Sequence, residues 1–335
     1  MHIDELPTPA LVVDRDVLEA NIALMGQRWP GRSLRPHVKA FKSVSMARRL
    51  AELGHDSFCA ATIKELAGLA AGGLGGDLLL ANETVDLQRL KTLLTEHQDA
   101  RITVAVDSPE TVSVAAQAGI KEVLIDVNVG MPRCGCAPED AGPLGDLVRS
   151  TGMTVRGVMG YEGHLMTEST DQGEKVEEAM GLLLKAHDAV GGEVISGGGT
   201  GTWRTNQWVN ELQAGSFTLM DTDYEASGTG FSKALSLRCT IISVNRKGGW
   251  AVADGGTKAL GLDHGLPSID DGEVLYCSDE HTIFAMKDAV ALPKVGERIS
   301  LWPSHVDPTV SQHDNLWLCD GNEVVDRWAV DLRGW

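Results

Sequence analysis

Three short stretches of the sequence carry residue types that can do chemistry. The first, LRPHVKAFKS, begins like a strand and brings His37, Lys39 and Lys42 together at its end. A lysine amine at the end of an apolar strand can attack a carbonyl carbon and form a Schiff base. Lysines of this spacing are also common on the exposed surface at the start of a helix. This stretch alone therefore does not distinguish a reactive lysine from ordinary surface lysines.

The second stretch is a glycine-rich run, SGGGTGTW, which follows an apolar segment and contains Gly198, Gly199, Thr200 and Gly201. Glycine lets backbone N–H groups come close to an anion, most commonly a phosphate. The run is neither a P-loop nor a good dinucleotide fingerprint, and a flexible turn is the alternative interpretation. A reactive lysine and a phosphate-binding loop together are what pyridoxal phosphate requires, whereas neither feature alone would indicate it.

The third stretch is WPSHVDPTV, in which His305 and Asp307 are two residues apart. On an extended segment both side chains would point to the same side and could bind one divalent cation. Two protein ligands leave positions for water or substrate, which suits a catalytic ion better than a structural one. A coincidental surface pair is the alternative, and the neighbouring His313 and Asp314 show that such pairs recur.

Strand-like and helix-like runs alternate through the first 235 residues. Helical spacing is evident at 14–27, 43–54, 62–73 and 171–192, and several of these runs end in glycine. Short apolar runs predict eight buried parallel strands, at 34–38, 56–61, 77–82, 102–107, 122–128, 154–161, 193–198 and 211–221. This alternation predicts an α/β fold, a (β/α)8 barrel of the TIM type, with a doubly wound sheet as the competing interpretation.

After about residue 235 the pattern changes to strand-like runs joined by Gly, Asp and Asn turns. The sequence therefore predicts a barrel domain at 11–235 and a mostly β domain at 236–335, to which residues 1–10 are added. Active sites of barrels lie at the C-terminal ends of the strands. Polar residues follow several of the predicted strands and would collect there: Lys39, Asn82, Asp107, Arg133, Tyr161, His164, Asp221 and Tyr224.

Composition excludes several classes of protein. The 335 residues carry a net charge of −18, which disfavours nucleic acid and anionic membranes as partners. Apolar runs are too short to span a bilayer and the N-terminus lacks the features of a signal peptide, so we expect a cytoplasmic protein. Six scattered cysteines predict reduced thiols and no disulfide framework.

The order of motifs along nearly the whole chain resembles one family. TPALVVD, RPHVKAFKS, CAATIKE, VNVGMPRCG, GYEGH, SGGGTGT, ELQAGSF, MDTDY, DGGTKAL and PSHVDPTV occur in the family's order. On these motifs the chain resembles the fold-type III pyridoxal-phosphate enzymes that include D-threonine aldolases and eukaryotic-type D-serine dehydratases. The resemblance implies an alanine-racemase-like barrel followed by a β domain, and a homodimer.

The resemblance also implies roles for individual residues. Lys39 matches the lysine that carries the cofactor, and Arg133 matches the arginine expected at the cofactor's phenolic oxygen. His305 and Asp307 match the metal pair, which would hold Mn, Mg, Ca or Zn. The remaining expected cofactor-binding residues are Tyr161, His164, Gly198, Gly199, Thr200, Gly201, Asp221 and Tyr224.

The metal pair discriminates between two activities within that family. Aldolases tend to carry His-x-Asp and dehydratases His-x-Cys, so Asp307 predicts an aldolase that cleaves D-β-hydroxy-α-amino acids to glycine and an aldehyde. D-threonine, D-3-hydroxyaspartate and D-phenylserine all remain open as substrates. The alternative is a dehydratase that releases a 2-oxo acid and ammonia. Whether Glu280 and His281 reach the site is also left open.

Two further hypotheses belong to other classes. A non-catalytic pyridoxal-phosphate carrier would resemble the barrel half but lack the β domain with His305 and Asp307. A barrel that binds a sugar or nucleotide phosphate without pyridoxal phosphate would be colourless, and its absorbance would not respond to borohydride.

Overall fold

The computed structural model describes residues 1–168, 170–288 and 291–335. The chain divides into two compact units. The barrel unit comprises Met25–Lys39, Met46–Gly215 and Leu332–Trp335, and the β unit comprises Met1–Leu24, Ala40–Ser45 and Ser216–Asp331. The chain starts with strand β1 (Ala10–Asp14) and helix α1 (Arg15–Arg28). No helix among the described residues is long and apolar enough to cross a membrane.

The barrel unit is built on eight parallel strands. They are β2 (Leu34–Pro36), β3 (Phe58–Ala60), β4 (Leu78–Leu80), β5 (Ile102–Val106), β6 (Glu122–Asp126), β7 (Thr154–Gly160), β8 (Val194–Gly197) and β9 (Glu211–Ala214). They pair in the order β2, β9, β8, β7, β6, β5, β4, β3. A parallel bridge between His37 and Cys59 links the two ends of this sheet. The predicted (β/α)8 barrel is therefore confirmed.

The interior of the barrel is apolar because its short strands are buried on both faces, as parallel strands covered by helices are. All three residues of β4 are buried, as are all five of β5. Side chains from six strands meet in one cluster, Cys59, Leu79, Ala105, Leu124, Met159 and Val194. This cluster forms the apolar part of the barrel core.

Six helices alternate with these strands, namely α2 (Val44–Glu52), α3 (Ile63–Ala71), α4 (Leu87–Glu96), α5 (Pro109–Ala118), α6 (Ala141–Ser150) and α7 (Gln172–Val190). Local sequence sets their ends. Thr62 and Glu65 form a capping box at the start of α3, and Ser108 with Pro109 begins α5. The helices predicted at 43–54, 62–73 and 171–192 are confirmed to within two residues at each end.

One sequence prediction differs from the structure at the end of the barrel. The segment between β8 and β9, residues 198–210, consists of turns and contains the glycine-rich run. The strand predicted at 211–221 ends at Ala214, because a 3₁₀ turn (Ser216–Thr218) and the short helix α8 (Thr222–Ala226) follow. Asp221 begins that helix as its N-cap, accepting a hydrogen bond from the Tyr224 N–H.

The β unit is built on a second sheet, which is mostly antiparallel. Its strands are β1, β10 (Leu235–Asn245), β11 (Trp250–Ala253), β12 (Gly272–Cys277), β13 (Thr282–Met286), β14 (Arg298–Leu301), β15 (Asn315–Asp320) and β16 (Glu323–Ala329). The path runs β12, β13, β11, β10, β1, β15, β16, and β14 pairs with β10. The mostly β character predicted for the C-terminal part is confirmed. The domain boundaries predicted at residues 10 and 235 stay predictions, although β1 itself lies in this second sheet.

Candidate functional site

Lys39 follows the C-terminal end of β2, on a 3₁₀ turn that covers Val38–Ala40. The lysine side chain is half-buried, between Val38 and Ala40, which are fully buried. Its backbone N–H donates to Nδ1 of His37 at 3.4 Å. The packing of its two neighbours fixes the backbone at Lys39.

Strand β2 is held in place by a buried ionic network at Arg35, four residues before the lysine. The Arg35 guanidinium lies 3.2 Å from Asp77 and 2.8 Å from Glu211, and it is 2% exposed. It also donates to the Phe58 carbonyl oxygen at 3.3 Å. Arg35 therefore links β2 to β9 through Glu211 and to β3 through Phe58, the two strands beside it in the closed barrel.

The glycine-rich run after β8 is shaped by a buried carboxylate. Glu162, fully buried in the loop after β7, accepts hydrogen bonds from the Gly198 N–H (3.1 Å), the Thr202 hydroxyl (2.8 Å) and the Asn206 amide (2.9 Å). Sequence reasoning missed this residue. Its signal is a charged residue inside GYEGH, directly after an apolar strand.

Several positions of this run accept only glycine, because of the backbone conformation or the close approach of Met166. Gly198 has a φ of 76°, in the left-handed region that favours glycine. A Cβ atom at Gly201 would collide with the Met166 carbonyl oxygen, and one at Gly199 would lie 2.6 Å from the Met166 sulfur. The run is thus a tight turn after β8, in which the close approach of Met166 restricts positions 199 and 201 to glycine.

Loops after β6 and β7 bring together the other predicted cofactor residues of the barrel. The Arg133 guanidinium lies 5.2 Å from the centre of the Tyr161 ring. The imidazole of His164 packs against Gly130, where a Cβ atom would lie 3.1 Å from its Cε1. Asp107 supports this loop by accepting a hydrogen bond from the Gly135 N–H at 3.2 Å.

A buried carboxyl group lies beside this loop at the end of β6. Burial raises the pKa of Asp126 well above its usual range, and the charge of Glu83 raises it further, while Arg133 partly opposes both. The Oε1 atom of Glu83 is buried and finds no hydrogen-bond partner among the residues that the structure describes. Asp126, Arg133, Cys134 and Tyr161 line one small cavity. Sequence reasoning missed Glu83 and Asp126, although both follow apolar strands.

These residues fit pyridoxal phosphate by the chemistry of their donors. A half-buried primary amine follows β2, and a tight glycine turn without side chains follows β8. A guanidinium and a phenol contact each other after β6 and β7. These groups match the cofactor's aldehyde, phosphate and phenolic oxygen, respectively.

The metal pair predicted from the sequence lies in the β unit, but not on an extended segment. His305 is extended and precedes helix α9 (Val306–Ser311), so Asp307 lies in the first turn of that helix. The expectation that both residues share one extended face is therefore wrong. The Asp307 carboxylate accepts a hydrogen bond from the Ser216 hydroxyl at 3.3 Å.

Asp221 connects the two short helices of this region. One carboxylate oxygen accepts from the Tyr224 N–H (3.0 Å), and the other accepts from the Val306 N–H (3.1 Å). Burial raises the pKa of Asp221 to about 6, although these two backbone hydrogen bonds oppose the shift. Asp221 thus fixes the start of α9, beside His305. Contact of Asp221 and Tyr224 with the cofactor stays a prediction.

His305 belongs to a cluster that the sequence did not reveal. Asp263, His264 and His305 form a group of possible metal ligands within 4.8 Å of one another, and that group does not include Asp307. The His305 Nδ1 atom lies 2.7 Å from an Asp263 carboxylate oxygen. Imidazole and carboxylate donors of this kind fit a divalent ion. The only sequence signal was a polar pair, LDHG, ahead of a glycine turn.

The residues that sequence reasoning left open, Glu280 and His281, have surface contacts in the β unit. Glu280 pairs with the exposed Lys258 at 2.6 Å. The His281 Nδ1 atom lies 3.5 Å from the Ser278 hydroxyl. These contacts indicate a surface ion pair rather than a ligand set.

Comparisons with known proteins match both parts of the chain. Residues 13–223 match the model of the "Alanine racemase, N-terminal domain" family. Residues 234–319 match the model described as "Putative serine dehydratase domain". The first match covers more than half of the chain.

Similar proteins match over almost their whole length. A 3-hydroxy-D-aspartate aldolase of Paracoccus denitrificans (strain Pd 1222) is 32% identical, over 100% of this chain and 94% of the relative. A D-threo-3-hydroxyaspartate dehydratase of Delftia sp. (strain HT23) is 27% identical, over 98% of each chain. The crystal structure of D-threonine aldolase from Filomicrobium marinum superposes with a TM-score of 0.92 at 30% identity, over 99% of this chain and 97% of that one.

Proposed function

The chain belongs to the alanine racemase N-terminal domain family, and from that premise we propose that it is a pyridoxal-phosphate- and metal-dependent aldolase. Membership of this family implies pyridoxal phosphate as cofactor, and the aldolase and dehydratase relatives are both lyases. The proposed reaction cleaves a D-β-hydroxy-α-amino acid into glycine and an aldehyde. One proton leaves the β-hydroxyl, one is added at Cα, and the Cα–Cβ bond breaks.

Lys39 is the proposed attachment point of the cofactor. Pyridoxal phosphate supplies an electron sink for the electron pair of a bond broken at Cα. Lys39 is suited to hold it because its backbone is fixed by the buried Val38 and Ala40. The glycine turn would bind the phosphate through backbone N–H groups, and Arg133 would donate to the phenolic oxygen.

His305 and Asp307 are the proposed ligands of the divalent ion. Such an ion supplies positive charge that lowers the pKa of the substrate's β-hydroxyl. His305 is 20% exposed, and Asp307 lies in the first turn of α9, so both can be reached by an ion from solvent. A carboxylate ligand favours Mg, Mn or Ca, while the imidazole also accepts Zn.

The observation that carries the choice of aldolase over dehydratase is the carboxylate at position 307. A thiolate there would suit zinc, and sequence reasoning associates that ligand with the dehydratases. The alternative activity, loss of water to give a 2-oxo acid and ammonia, keeps one specific support, the dehydratase relative that matches 98% of the chain. The carrier hypothesis is disfavoured because the β domain is present.

Product analysis tests the proposal. Cofactor-loaded protein is incubated with D-threonine, and with L-threonine as a stereochemical control, before and after EDTA and with Mn²⁺ or Mg²⁺ restored. The proposal expects glycine and acetaldehyde from the D-isomer alone, lost with EDTA and recovered with metal. Release of 2-oxobutanoate and ammonia instead would establish the dehydratase. The same assay with D-3-hydroxyaspartate and D-phenylserine would define the substrate.

The active form is proposed to be a homodimer, in line with the family resemblance. Light scattering after size-exclusion chromatography would give twice the 35.8 kDa mass of the chain. A monomeric mass for the active protein would contradict this proposal.

A further inference from the structure

Two imidazole rings in the β unit are stacked, and each is paired with its own carboxylate. The rings of His264 and His305 lie 4.0 Å apart at 14°. The Nδ1 atom of His305 lies 2.7 Å from Asp263, and that of His264 lies 3.0 Å from Asp223. The two pairs have the same chemistry, but only one of them contains the proposed ligand.

The loop that carries Asp263 is fixed against the segment that carries His305. Gly261 forms an antiparallel bridge with His305, and its N–H donates to the Thr309 hydroxyl at 2.9 Å. The Ser304 hydroxyl donates to the Gly265 carbonyl oxygen at 2.7 Å. A Cβ atom at Gly261 would collide with Pro308, so only glycine permits this approach. The position of Asp263 beside His305 is therefore built into the backbone.

We infer that Asp263 is a positioning residue of the metal centre, one that orients His305 without binding the ion itself. This inference rests on the proposed function, because it requires His305 to be a ligand. The carboxylate holds a proton on Nδ1 of His305, which leaves the Nε2 lone pair as the donor to the ion. A carboxylate or carbonyl that accepts from the second ring nitrogen is the usual partner of a metal-binding histidine.

The 2.7 Å separation between His305 Nδ1 and Asp263 Oδ2 favours this role over direct ligation. Two protein atoms that each lie about 2.1 Å from one tetrahedral ion are about 3.4 Å apart, and about 3.0 Å apart in an octahedral one. The Nδ1 and Oδ2 atoms are closer than either value, at a hydrogen-bond distance. The pair is therefore arranged as donor and acceptor rather than as two ligands of one ion.

The role of His264 follows from its stacking. Its ring covers one face of the His305 ring, and Asp223 holds its Nδ1 atom. It thus limits rotation of the His305 ring, while Asp223 itself lies at Nδ1 of His264. Asp223→Asn is consequently the control for Asp263→Asn, because each removes one carboxylate from the stacked pair but only Asp263 lies at Nδ1 of His305. The second contact of Asp263, to Nε2 of His264, is 3.8 Å long.

Mn²⁺ binding to the cofactor-loaded protein tests the inference, with free Mn²⁺ measured by electron paramagnetic resonance. Loss of a carboxylate partner of a metal-binding histidine weakens metal affinity by about 10- to 100-fold. The Asp263 side chain is 53% exposed, so we expect the lower end, about 10-fold, for Asp263→Asn. Asp223→Asn should change the affinity by less than about threefold, and Asp263→Glu should recover part of the loss because it restores a negatively charged carboxylate.

Each outcome has one meaning. Wild-type affinity in Asp263→Asn would overturn the inference while leaving the proposed metal ions in place. Equal losses in Asp263→Asn and Asp223→Asn would overturn it in favour of a cluster that acts as a whole. Absence of Mn²⁺ binding in the wild type and unchanged turnover in EDTA would refute the metal requirement of the proposed function, and the inference with it. If Asp263→Asn does not fold, as judged by circular dichroism, Asp263→Ser takes its place in the comparison with Asp223→Asn, and Asp263→Glu remains the variant expected to recover affinity.

Discussion

Asp77 makes the strongest prediction about stability, because it lies at the centre of the buried network that holds β2. Its side chain is 4% exposed and accepts two hydrogen bonds from Arg156, at 2.9 and 3.1 Å. A third comes from Arg35 at 3.2 Å. Burial raises the pKa of Asp77, but the Arg156 hydrogen bonds and the charge of Arg35 lower it more, to about 2 from 3.8.

The pKa sets the size and the pH range of the effect. A difference of about two pKa units, at about 1.36 kcal/mol each, means that the ionised Asp77 stabilises the folded state by about 2.5 kcal/mol. Because the folded-state pKa is the lower one, this stability is fully present above about pH 4 and is lost as the pH falls towards 2. At pH 3 about half of it remains.

Asp77→Asn should therefore cost about 3 kcal/mol at pH 7, since it also leaves Arg156 buried with fewer partners. The matched control is Asp56→Asn, which breaks a bidentate pair with Arg32 at 2.8 and 3.0 Å whose side chains are 50% and 58% exposed. An exposed pair contributes about 1 kcal/mol or less. Urea unfolding followed by circular dichroism measures the free energy of unfolding of each variant. The comparison requires that the dependence of this free energy on urea concentration has the same slope in all of them.

Two results would refute this reasoning. Equal losses in the Asp77 and Asp56 variants would mean that burial of the network adds nothing to stability. A difference between wild type and Asp77→Asn that stays constant from pH 7 to pH 3 would mean that the Asp77 carboxylate does not have a lowered pKa.

Three other substitutions test the site and one helix. Lys39→Ala should abolish the covalent, borohydride-reducible attachment of pyridoxal phosphate, seen by peptide mass spectrometry, while Lys42→Ala retains it at Lys39. Asp307→Ala should keep that attachment and lose Mn²⁺-dependent cleavage by at least about 100-fold, because a ligand matters at least as much as the groups that support it. Gly181→Ala, in the middle of α7 with open space around its Cβ position, should raise the free energy of unfolding by about 0.5–1 kcal/mol and leave turnover unchanged.

Much of the barrel could be predicted from the sequence because its strands are short, apolar and separated by regular helices. The run at 77–82 contains β4, and the run at 102–107 contains β5. The strand predicted at 211–221 is present as β9 but ends seven residues early, at Ala214, because Gly215 and the turns after it are as apolar as a strand. A continuous apolar run shows no periodic pattern of polar and apolar residues, so it cannot distinguish a buried strand from a buried turn.

The positions of candidate site residues could be predicted where they follow a strand end, but not where they depend on a contact between residues distant in sequence. Lys39 lies just after β2, and the glycine run begins one residue after β8, as expected for ligand-binding residues of a barrel. Asp263 and His305 are 42 residues apart, and only the pairing of their loops brings them together. No spacing rule in a single sequence predicts that contact.

The glycine run shows the same limit within a motif that is easy to recognise. Its glycines allow a tight turn, but the turn is fixed by Glu162, which lies 36 residues before Gly198 and accepts three hydrogen bonds there. A buried carboxylate close to the proposed phosphate site would be unfavourable unless donors surrounded it. Glu162 engages the Gly198 N–H, the Thr202 hydroxyl and the Asn206 amide, which meets that condition. Phosphate affinity should therefore depend on the GYEGH loop as much as on the glycines themselves.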